Sequence, residues 1–364
     1  MKYWVLDGSE YKAEIKAGKE KLILSNGLVK RVILLDGCKT ESLFNITKNI
    51  ELVDGAYPDF AVSANGNKYL SDNGFAFAGI KIVPCCERVE FKPSETMTAP
   101  CVYPPDGKAA VLEYVNERLS LGVSVRYEIY DGAPVIMKLV RVKNLFDADV
   151  CIDNIYTDVL KITGNRDTLF VDSDFDSTTD FLGLELSEYA KNYARFHYDF
   201  LEVAPLYRMN VALSPEQSVS SITAFELLLS TDYYEQRLTE VKAMYRLVAP
   251  WCTDNVLFFH LISNSSAAIK KATNQCAEIG LEMIIQSFGS GVNMESGNEK
   301  YLSRIKSAYD YAHKNGLRIG AYTLAYVKNY RPVKGDEALN HDGSGICRCL
   351  STDWSEQYMK DVIF

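Results

Sequence analysis

Two polar residues, Gln286 and Ser287, directly follow an apolar run in the segment EMIIQSFGSGVN at residues 282–293. An amide beside a hydroxyl can both donate and accept hydrogen bonds, which suits the recognition of a hydroxylated substrate. In folds with parallel strands, the loops after the carboxyl ends of the strands build the functional site. If the apolar run is such a strand, Gln286 and Ser287 are candidate substrate-binding residues.

The next residues include two closely spaced glycines, Gly289 and Gly291, as loops that bind phosphate groups often do. A dinucleotide-binding loop has the pattern G-x-G-x-x-G, and its third glycine opens a helix whose N-terminus holds the pyrophosphate. Here the third position is Met294, and the next helical pattern begins only near residue 298. The spacing therefore argues against a nucleotide-dependent oxidoreductase. A flexible connector and the rim of a substrate site remain as interpretations.

Two other apolar runs also contain residues that could bind a substrate. His260 lies in NVLFFHLI (255–262), and Tyr322 lies in RIGAYTLAY (318–326). A histidine on an apolar strand is either a hydrogen-bonded core residue or a ligand-binding group. The ring of Tyr322 either packs in the interior or stacks against the face of a sugar. Both are therefore candidate substrate-binding residues.

A long segment at residues 327–354 follows the third run and shows no pattern of secondary structure. Loops of this length are functional or disordered. Its charged and aromatic residues include Asp336, His341, Asp342, Asp353 and Trp354. Asp353 and Trp354 are added to the candidates for substrate contact, and no aspartate of this loop is assigned a catalytic role.

The acidic segment VDSDFDSTTD (171–180) partly matches the spacing of a calcium-binding loop. Positions one, three, five and nine of that loop are occupied by Asp172, Asp174, Asp176 and Asp180. The sixth position is Ser177 instead of glycine, the twelfth is Gly183 instead of glutamate, and no helical pattern leads into the segment. A solvated acidic loop is the better interpretation, and no metal site is predicted.

The elements that must position these residues fall into two halves. Up to about residue 230, short runs rich in Val, Ile, Leu, Tyr and Phe alternate with turn signals. In residues 119–145, the runs SVRYEIY and VIMKLVRV flank DGAP, which predicts a hairpin, and VCIDNIYTDVLKIT (150–163) continues the series. Many strands with regular turns predict a large antiparallel β-sandwich, which we assign to residues 1–245.

The second half, residues 246–364, has a different period. YYEQRLTEVKAMYRLVAPW (233–251) is a helical or extended linker, and the three apolar runs then alternate with amphipathic segments at residues 265–280 and 298–316. A further helix starts in SEQYMKDVIF (355–364). Continuous apolar strands alternating with helices indicate parallel strands, in either a doubly wound sheet or a (β/α) barrel.

Composition limits the class of partner. The net charge of −9 and the pI near 5.2 argue against nucleic acid or an anionic membrane as a partner. No apolar run is long enough to span a membrane, and residues 1–16 show no signal peptide. The nine cysteines are scattered and are predicted to be reduced thiols, which favours a cytoplasmic location.

The two halves together resemble a known family. The segment YEIYDGAPVIMKLVRVKNLFDADVCIDNI resembles the N-terminal domain of glycoside hydrolase family 36, the α-galactosidase-type enzymes. The join RLVAPWCTDNVLFFHLISNSSAAIKKATNQCAEIGLEMIIQSFGSG is similar to the entry into the catalytic (β/α)8 barrel of that family. The resemblance implies a galactose-mutarotase-like supersandwich followed by the first three βα units of a (β/α)8 TIM barrel.

The resemblance also implies a chemistry. These enzymes are retaining α-glycosidases without a cofactor, in which a nucleophilic carboxylate and an acid/base carboxylate lie about 5–5.5 Å apart. In the family these residues end the fourth and sixth barrel strands, so we expect both catalytic residues beyond Phe364 and the present chain, truncated after the third βα unit, to be inactive. The unpaired edge of such a partial barrel predicts association, including a possible homo-oligomer.

The chain departs from the family at the second and third strands. The family commonly ends the second strand in Asp-Asp-Gly-Trp, whose acids hold the sugar hydroxyls, and these acids align with Gln286 and Ser287. The third-strand pattern of Trp followed by Glu-Pro-Glu is here YTLAY (322–326). The leading hypothesis is therefore the N-terminal part of a retaining α-glycoside hydrolase that is α-galactosidase-like and acts on α-linked sugars, with its specificity for galactose put in question by these substitutions. The alternative is a non-catalytic carbohydrate-binding protein with a sugar site on the sandwich.

Overall fold

The structure is a computed structural model that describes most of the chain. The described ranges are 3–85, 90–93, 101–162, 166–174, 194–197, 200–205, 208–253, 256–322, 337–339, 345–348 and 353–360. The chain divides into two compact units, Met1–Asp254 and Asn255–Phe364. None of the described helices is long and apolar enough to cross a membrane.

The first unit consists mainly of β-strands. Its first ten strands are β1 Glu14–Ala17, β2 Lys21–Ser25, β3 Val29–Leu34, β4 Lys39–Asn45, β5 Ile50–Glu51, β6 Tyr57–Pro58, β7 Ala61–Ala64, β8 Asn67–Leu70, β9 Ala76–Val83 and β10 Gly107–Asn116. The next ten are β11 Leu121–Tyr130, β12 Val135–Asn144, β13 Val150–Tyr156, β14 Asp158–Lys161, β15 Leu169–Ser173, β16 Ala194–His197, β17 Phe200–Val203, β18 Val211–Leu213, β19 Ser218–Ser220 and β20 Ala224–Leu228. Short 3-10 helices occur at Arg166–Thr168 and Pro250–Thr253.

These strands form four sheets, and each pairing between described strands of the unit is antiparallel. A six-stranded sheet runs β1-β2-β3-β4-β5, with β6 also beside β4, and a seven-stranded sheet runs β15-β20-β12-β11-β10-β9, with β19 beside β12. Smaller sheets run β18-β13-β7-β8 and β14-β17-β16. The predicted hairpin is present as β11 and β12, whose connection at residues 131–134 is the DGAP segment.

Alternation along the strands separates a core face from an outer face. In β11 the side chains of Val123, Val125 and Tyr127 are buried, whereas Ser124 and Arg126 between them are partly exposed. One apolar cluster joins residues from all four sheets, including Leu24, Val62, Val125 and Leu201. Because successive side chains of a strand point to opposite faces, each sheet contributes one face to this shared core. The first unit is therefore a β-sandwich, as predicted.

A helix covers part of the outer face of the seven-stranded sheet. This helix, α1 Tyr234–Val248, buries Met244 and Val248 in a second apolar cluster with Trp4, Val135 and Leu227. The cluster lies over the end of the sheet nearest the DGAP turn. The segment predicted as a helical or extended linker is therefore a helix packed on the sandwich.

The second unit is a short α/β arrangement. Its elements are β21 Phe258–Leu261, α2 Ser266–Ile279, β22 Met283–Gln286, α3 Glu299–Lys314, β23 Arg318–Ala321, β24 Glu337–Leu339, β25 Gly345–Arg348 and α4 Asp353–Tyr358. Strands β21, β22 and β23 are parallel and adjacent in that order. Helix α2 begins after Ser265, whose side chain accepts a hydrogen bond from Ala268 N at 3.2 Å, and ends at Gly280 in the left-handed region.

The described residues of the second unit form a three-stranded parallel sheet in the predicted order, and a TIM barrel stays a prediction. One feature of this unit differs from the sequence prediction. The segment predicted as a loop at residues 327–354 contains β24 and β25, which pair antiparallel. Both strands are only three or four residues long, too short for their alternation to be visible in the sequence.

Candidate functional site

The candidate site lies where the three parallel strands end at their carboxyl edge. His260, Ile285 and Gly320 are partners across these strands, and Ile284 lies one residue away on the opposite face. Ile284 is fully buried in an apolar cluster with Ala272 of α2 and Ala312 of α3. The face that contains Ile284 is therefore covered by helices, and the face that contains His260 is the open one.

Gln286 and Ser287 separate onto these two faces. Gln286 is two residues after Ile284, so its side chain enters the helix-covered face, where it is buried. Its Nε2 donates to Ser263 O at 2.7 Å, and its Oε1 accepts from Tyr309 OH of α3. Both ends of the amide are thus used within the fold. The candidate site therefore does not include Gln286, and alternation within one strand is the physical reason.

Ser287 lies on the open face and contacts His260. The Ser287 Oγ forms a short hydrogen bond with His260 Nδ1, and Ser287 N donates to Leu261 O at 3.1 Å. The backbone bond extends the pairing of β21 and β22 by one residue, which holds the two side chains next to each other. His260 is exposed, and its ring also lies edge-on to Phe258, with the ring centroids 5.3 Å apart. A substrate hydroxyl at this place would meet both a donor and an acceptor.

Tyr322 completes this group from the third strand. Its hydroxyl accepts a hydrogen bond from Phe288 N at 2.9 Å, which ties the end of β23 to the loop after β22. Tyr322 is 42% exposed and Phe288 is 75% exposed. The exposed aromatic residues offer apolar surface to a ligand, and the hydroxyl and the imidazole offer hydrogen bonds. We call His260, Ser287 and Tyr322 the strand-end cluster.

The loop that contains Gly289 and Gly291 links the ends of β21 and β22. Gly289 and Gly291 have φ values of +85° and +74°, in the left-handed region that favours glycine. Asn264 Nδ2 donates to Gly291 O, and Arg304 NH1 of α3 donates to Asn264 O at 2.6 Å. A Cβ atom on Gly291 would lie 3.2 Å from Asn264 Nδ2. The spacing of the two glycines therefore reflects a turn that links the loops after β21 and β22.

The remaining predicted residues are not joined to this cluster. Asp353 is the first residue of α4 and is exposed, and among the described residues no contact links it to the cluster. Trp354 belongs to the same helix. Asp336, His341 and Asp342 lie outside the described residues, as do positions 175–180 of the acidic segment. Within the described part of the chain, no group of three or more His, Cys, Asp or Glu side chains is placed to hold a metal ion.

A second group of ionisable side chains lies in the sandwich and was not predicted from the sequence. This buried charge network consists of Arg31, Asp59, Lys138, Asp158 and Glu226. All five side chains have 0% exposure. The signal was present in β12, where Lys138 occupies the same alternating phase as the buried residues Ile136 and Val140.

Arg31 and Lys138 hold the three acids together. The guanidinium of Arg31 donates to Asp59 Oδ1 at 2.5 Å and to Glu226 Oε2 at 2.6 Å. Lys138 Nζ lies 2.7 Å from Asp59 Oδ2 and 2.7 Å from Asp158 Oδ1. Among the described residues, Asp158 Oδ2 and Glu226 Oε1 accept no hydrogen bond. The network is therefore sealed from water but not saturated with donors.

The surroundings of Asp59 and Glu226 shift their pKa values in opposite directions. Burial alone would raise the pKa of Asp59, but Arg31 and Lys138 hold it well below its ordinary value. Burial raises the pKa of Glu226 to about 8, against the opposing effect of Arg31 and with a further increase from Asp158. Near neutral pH Glu226 is then mostly protonated and uncharged, which lowers the number of buried charges that must be balanced without water.

Comparison with known proteins supports the fold only. No protein-family model and no curated protein sequence matches the chain. Among solved structures, it is similar to the galactosidase domain of the α-galactosidase–sucrose kinase AgaSK, with a TM-score of 0.59 and 9% identity over 96% of this chain and 64% of that one. It is also similar to the GH36 α-galactosidase AgaB from Geobacillus stearothermophilus, with a TM-score of 0.57 and 10% identity over 96% of this chain and 63% of that one.

A variant of the GH36 α-galactosidase AgaA from the same organism, in complex with stachyose, matches with a TM-score of 0.56 and 11% identity. That match covers 94% of this chain and 63% of the other. The chain therefore spans just under two thirds of the length of each of these three proteins. The resemblance inferred from the sequence holds at the level of the fold of GH36 α-galactosidases.

Proposed function

We propose that the chain is part of an α-glycoside hydrolase and that its strand-end cluster contacts an α-linked oligosaccharide. The observation that carries this proposal is the meeting of His260, Ser287 and Tyr322 on the open face of three parallel strands. The fold supports it, because the carboxyl edge of such strands is where enzymes of this architecture bind substrate. The structurally similar AgaA variant was solved in complex with stachyose, which suggests the class of ligand to test.

Each residue of the cluster has a separate part in this proposal. The Ser287 hydroxyl and the His260 ring nitrogens would share hydrogen bonds with two adjacent sugar hydroxyls. The rings of Tyr322 and Phe288 would pack against the apolar face of the same sugar or of its neighbour. The cluster contains no carboxylate, so we expect weaker binding than a carboxylate would provide through charge-assisted hydrogen bonds to the sugar hydroxyls.

Hydrolysis would require two carboxylates in addition to this cluster. Among the described residues, no Asp or Glu follows β21 before α2 starts, and Glu295 is the first acid after β22. Glu295 is engaged by Tyr358, whose hydroxyl donates to its Oε1 at 3.1 Å. The proposed catalytic pair must therefore come from residues outside the described strand ends. Without them, the cluster binds a sugar and does not cleave it, which is the second candidate function.

Titration of the 364-residue chain with stachyose tests the binding proposal. We expect saturable binding, measured by isothermal titration calorimetry, and no comparable binding of cellotetraose, a β-linked glucan of similar length. His260→Ala and Ser287→Ala should each weaken binding about fivefold or more, the loss expected for one hydrogen bond. His313→Ala and Ser303→Ala, exposed positions on and near the end of α3, are the matched controls. Equal binding by all four variants would refute the site.

Turnover of an aryl α-galactoside separates the two candidate functions. Release of the aryl group by the chain at a rate above the uncatalysed reaction would favour the hydrolase and locate a catalytic carboxylate within these 364 residues. Saturable stachyose binding without turnover would favour the binding function for this chain. If the 364-residue chain binds stachyose without turnover, turnover by a longer chain that adds further βα units would favour the hydrolase again.

A further inference from the structure

The outer face of the seven-stranded sheet contains a groove far from the region covered by α1. The apolar cluster of α1 covers the end of this sheet that carries Val135 and Leu227. At the opposite end, strands β10, β11 and β12 border an open depression of about 360 Å³. We call this depression the sheet groove. Its size is within the range of pockets that bind small ligands.

The register of the three strands explains the shape of the groove. Ser124 on β11 is paired with Glu113 on β10 and with Arg141 on β12. Two residues away, Gly122 on β11 is the partner of Lys143 on β12. Small residues on the central strand thus form a floor, and long charged side chains on the flanking strands form the walls. Adjacent strands are about 4.8 Å apart, so the walls start roughly 10 Å from each other.

The two walls carry opposite charge. Arg141 Nε donates to Ser220 Oγ at 3.2 Å, and Lys143 Nζ lies 2.5 Å from Glu216 Oε2 in an exposed ion pair. Facing them, Glu113 is partly buried and forms no hydrogen bond or ion pair with the described residues. Arg141 has no carboxylate partner among these residues. The groove therefore presents one available cation and one available carboxylate on opposite sides of a small floor.

We propose that the sheet groove binds a hexuronate, a six-carbon sugar acid. Its carboxylate would meet the guanidinium of Arg141, with Lys143 adding positive charge from the neighbouring position. Its hydroxyls would donate to the Glu113 carboxylate and exchange hydrogen bonds with Ser124. The distance between the walls accommodates one pyranose ring with a hydrogen bond on each side. This site belongs to the first unit, whereas the strand-end cluster belongs to the second, and the proposal does not depend on the function of that cluster.

The ligand class follows from matching both walls at once. A bare carboxylate would engage Arg141 and leave Glu113 facing water. A neutral hexose would reach Glu113, and one of its hydroxyl oxygens would accept from Arg141, but it could not form the bidentate ion pair that a carboxylate forms with a guanidinium. A sugar acid is the smallest ligand in this comparison that forms this ion pair and also engages the carboxylate and the floor.

Calorimetric titration of the full chain with galacturonate and glucuronate tests this inference, with galactose, glucose and acetate as comparison ligands. We expect at least one hexuronate to bind saturably and about tenfold or more tightly than the matched neutral hexose and acetate. Raising the salt concentration should weaken the binding. No saturable hexuronate binding, or binding equal to that of the hexose or of acetate, would overturn the proposal.

Variants locate the binding. Arg141→Met should weaken hexuronate binding about tenfold or more, Arg141→Lys should retain part of it, and Ser124→Leu should block the floor without removing a charge. Lys30→Met, an exposed lysine of β3 in another sheet, is the matched control and should bind as the unmodified chain does. His260→Ala should also leave this binding unchanged. If Arg141→Met and Ser124→Leu fold and bind normally, the ligand binds elsewhere and the proposal is wrong.

Discussion

The buried charge network and the strand-end cluster place polar groups in opposite surroundings. In the network, five ionisable side chains have no contact with water and are held by each other. In the strand-end cluster, His260 and the ring of Tyr322 are exposed, and the polar atoms have only one or two partners each. Polar side chains in the network therefore interact with each other within the fold, whereas those of the cluster remain accessible to a ligand.

The same contrast occurs on a smaller scale between Gln286 and Ser287. These residues are adjacent in the chain, yet one is buried under α3 and the other borders the open face. Polarity and position at a strand end are thus insufficient to identify a site residue. The face of the sheet to which the residue points decides whether its side chain forms its hydrogen bonds within the fold.

The largest expected effect is the removal of a charge from the network. Arg31→Met leaves three buried acids with Lys138 as the remaining cation, so the free energy of unfolding of the first unit should fall by about 3–5 kcal/mol. Hydrogen exchange of peptides from β3 and β12 in increasing urea measures this loss. Lys30→Met, one residue away and exposed, should change stability by less than about 0.5 kcal/mol. A loss below about 1 kcal/mol for Arg31→Met would contradict the sealed network.

The pH dependence of stability tests the charge state of the same network. The pKa of Glu226 rises from 4.5 to about 8 on folding, so the folded state holds an extra proton between these values. The stability that this proton contributes is complete below about pH 4.5 and is lost as the pH rises towards 8, with a slope of at most about 1.4 kcal/mol per pH unit.

Glu226→Gln provides the control for that experiment. Glutamine reproduces the neutral form of the acid and can still accept the hydrogen bond from Arg31 NH1. We expect this variant to lose the decline in stability between pH 5 and 8, measured by urea denaturation at a series of pH values. An unchanged slope would show that Glu226 is ionised in the folded protein.

A smaller effect is expected at the helix-covered face of the parallel sheet. Tyr309→Phe removes the donor to Gln286 Oε1 and leaves this buried oxygen unsatisfied, at a cost of about 1–3 kcal/mol. Tyr311→Phe, on the same helix, removes an exposed hydrogen bond to Asn274 and should cost less than about 0.5 kcal/mol. Exchange rates of β22 amides measure both, and equal losses would mean that Gln286 is not committed to the fold.

The smallest effect is expected in the strand-end cluster itself. Ser287→Ala should change the free energy of unfolding of the second unit by no more than about 0.5 kcal/mol, because its hydrogen bond to His260 lies at an accessible edge. Thermal unfolding followed by circular dichroism measures the change. A loss comparable to that of Tyr309→Phe would assign Ser287 to the structure and weaken the case for a ligand site.

Much of the fold followed from local patterns in the sequence. The apolar run that ends at Gln286 was predicted as a strand and forms β22, and the amphipathic segment predicted at residues 265–280 forms α2, which is capped by Ser265 and Gly280. These predictions succeeded because caps and alternation act within a few residues. The segment at residues 150–163 was less well predicted, since it divides at Thr157 into β13 and β14 of different sheets. The choice between sheets depends on distant partners such as Ile222, whose carbonyl accepts from the Thr157 hydroxyl at 2.7 Å.

The site was predictable in part. The positions of His260, Ser287 and Tyr322 near strand ends followed from the pattern, but their contacts required the pairing register of β21, β22 and β23. Gln286 ends β22 as the pattern indicated, but the alternation of side chains places it on the helix-covered face, where both ends of its amide are hydrogen-bonded. Catalytic residues, a homo-oligomer, a carbohydrate partner and a cytoplasmic location remain predictions.

The buried charge network has a consequence for the order of folding. Its members come from distant parts of the chain, since Arg31 bonds to Asp59 at a separation of 28 residues and to Glu226 at a separation of 195. Contacts between distant residues form slowly because a long loop must close first. A sandwich that docks β3 without β20 in place would leave Arg31 NH1 without its acceptor, Glu226 Oε2, so we expect such intermediates to reopen. All contacts of the network are therefore formed only when strands from both ends of the first unit have assembled.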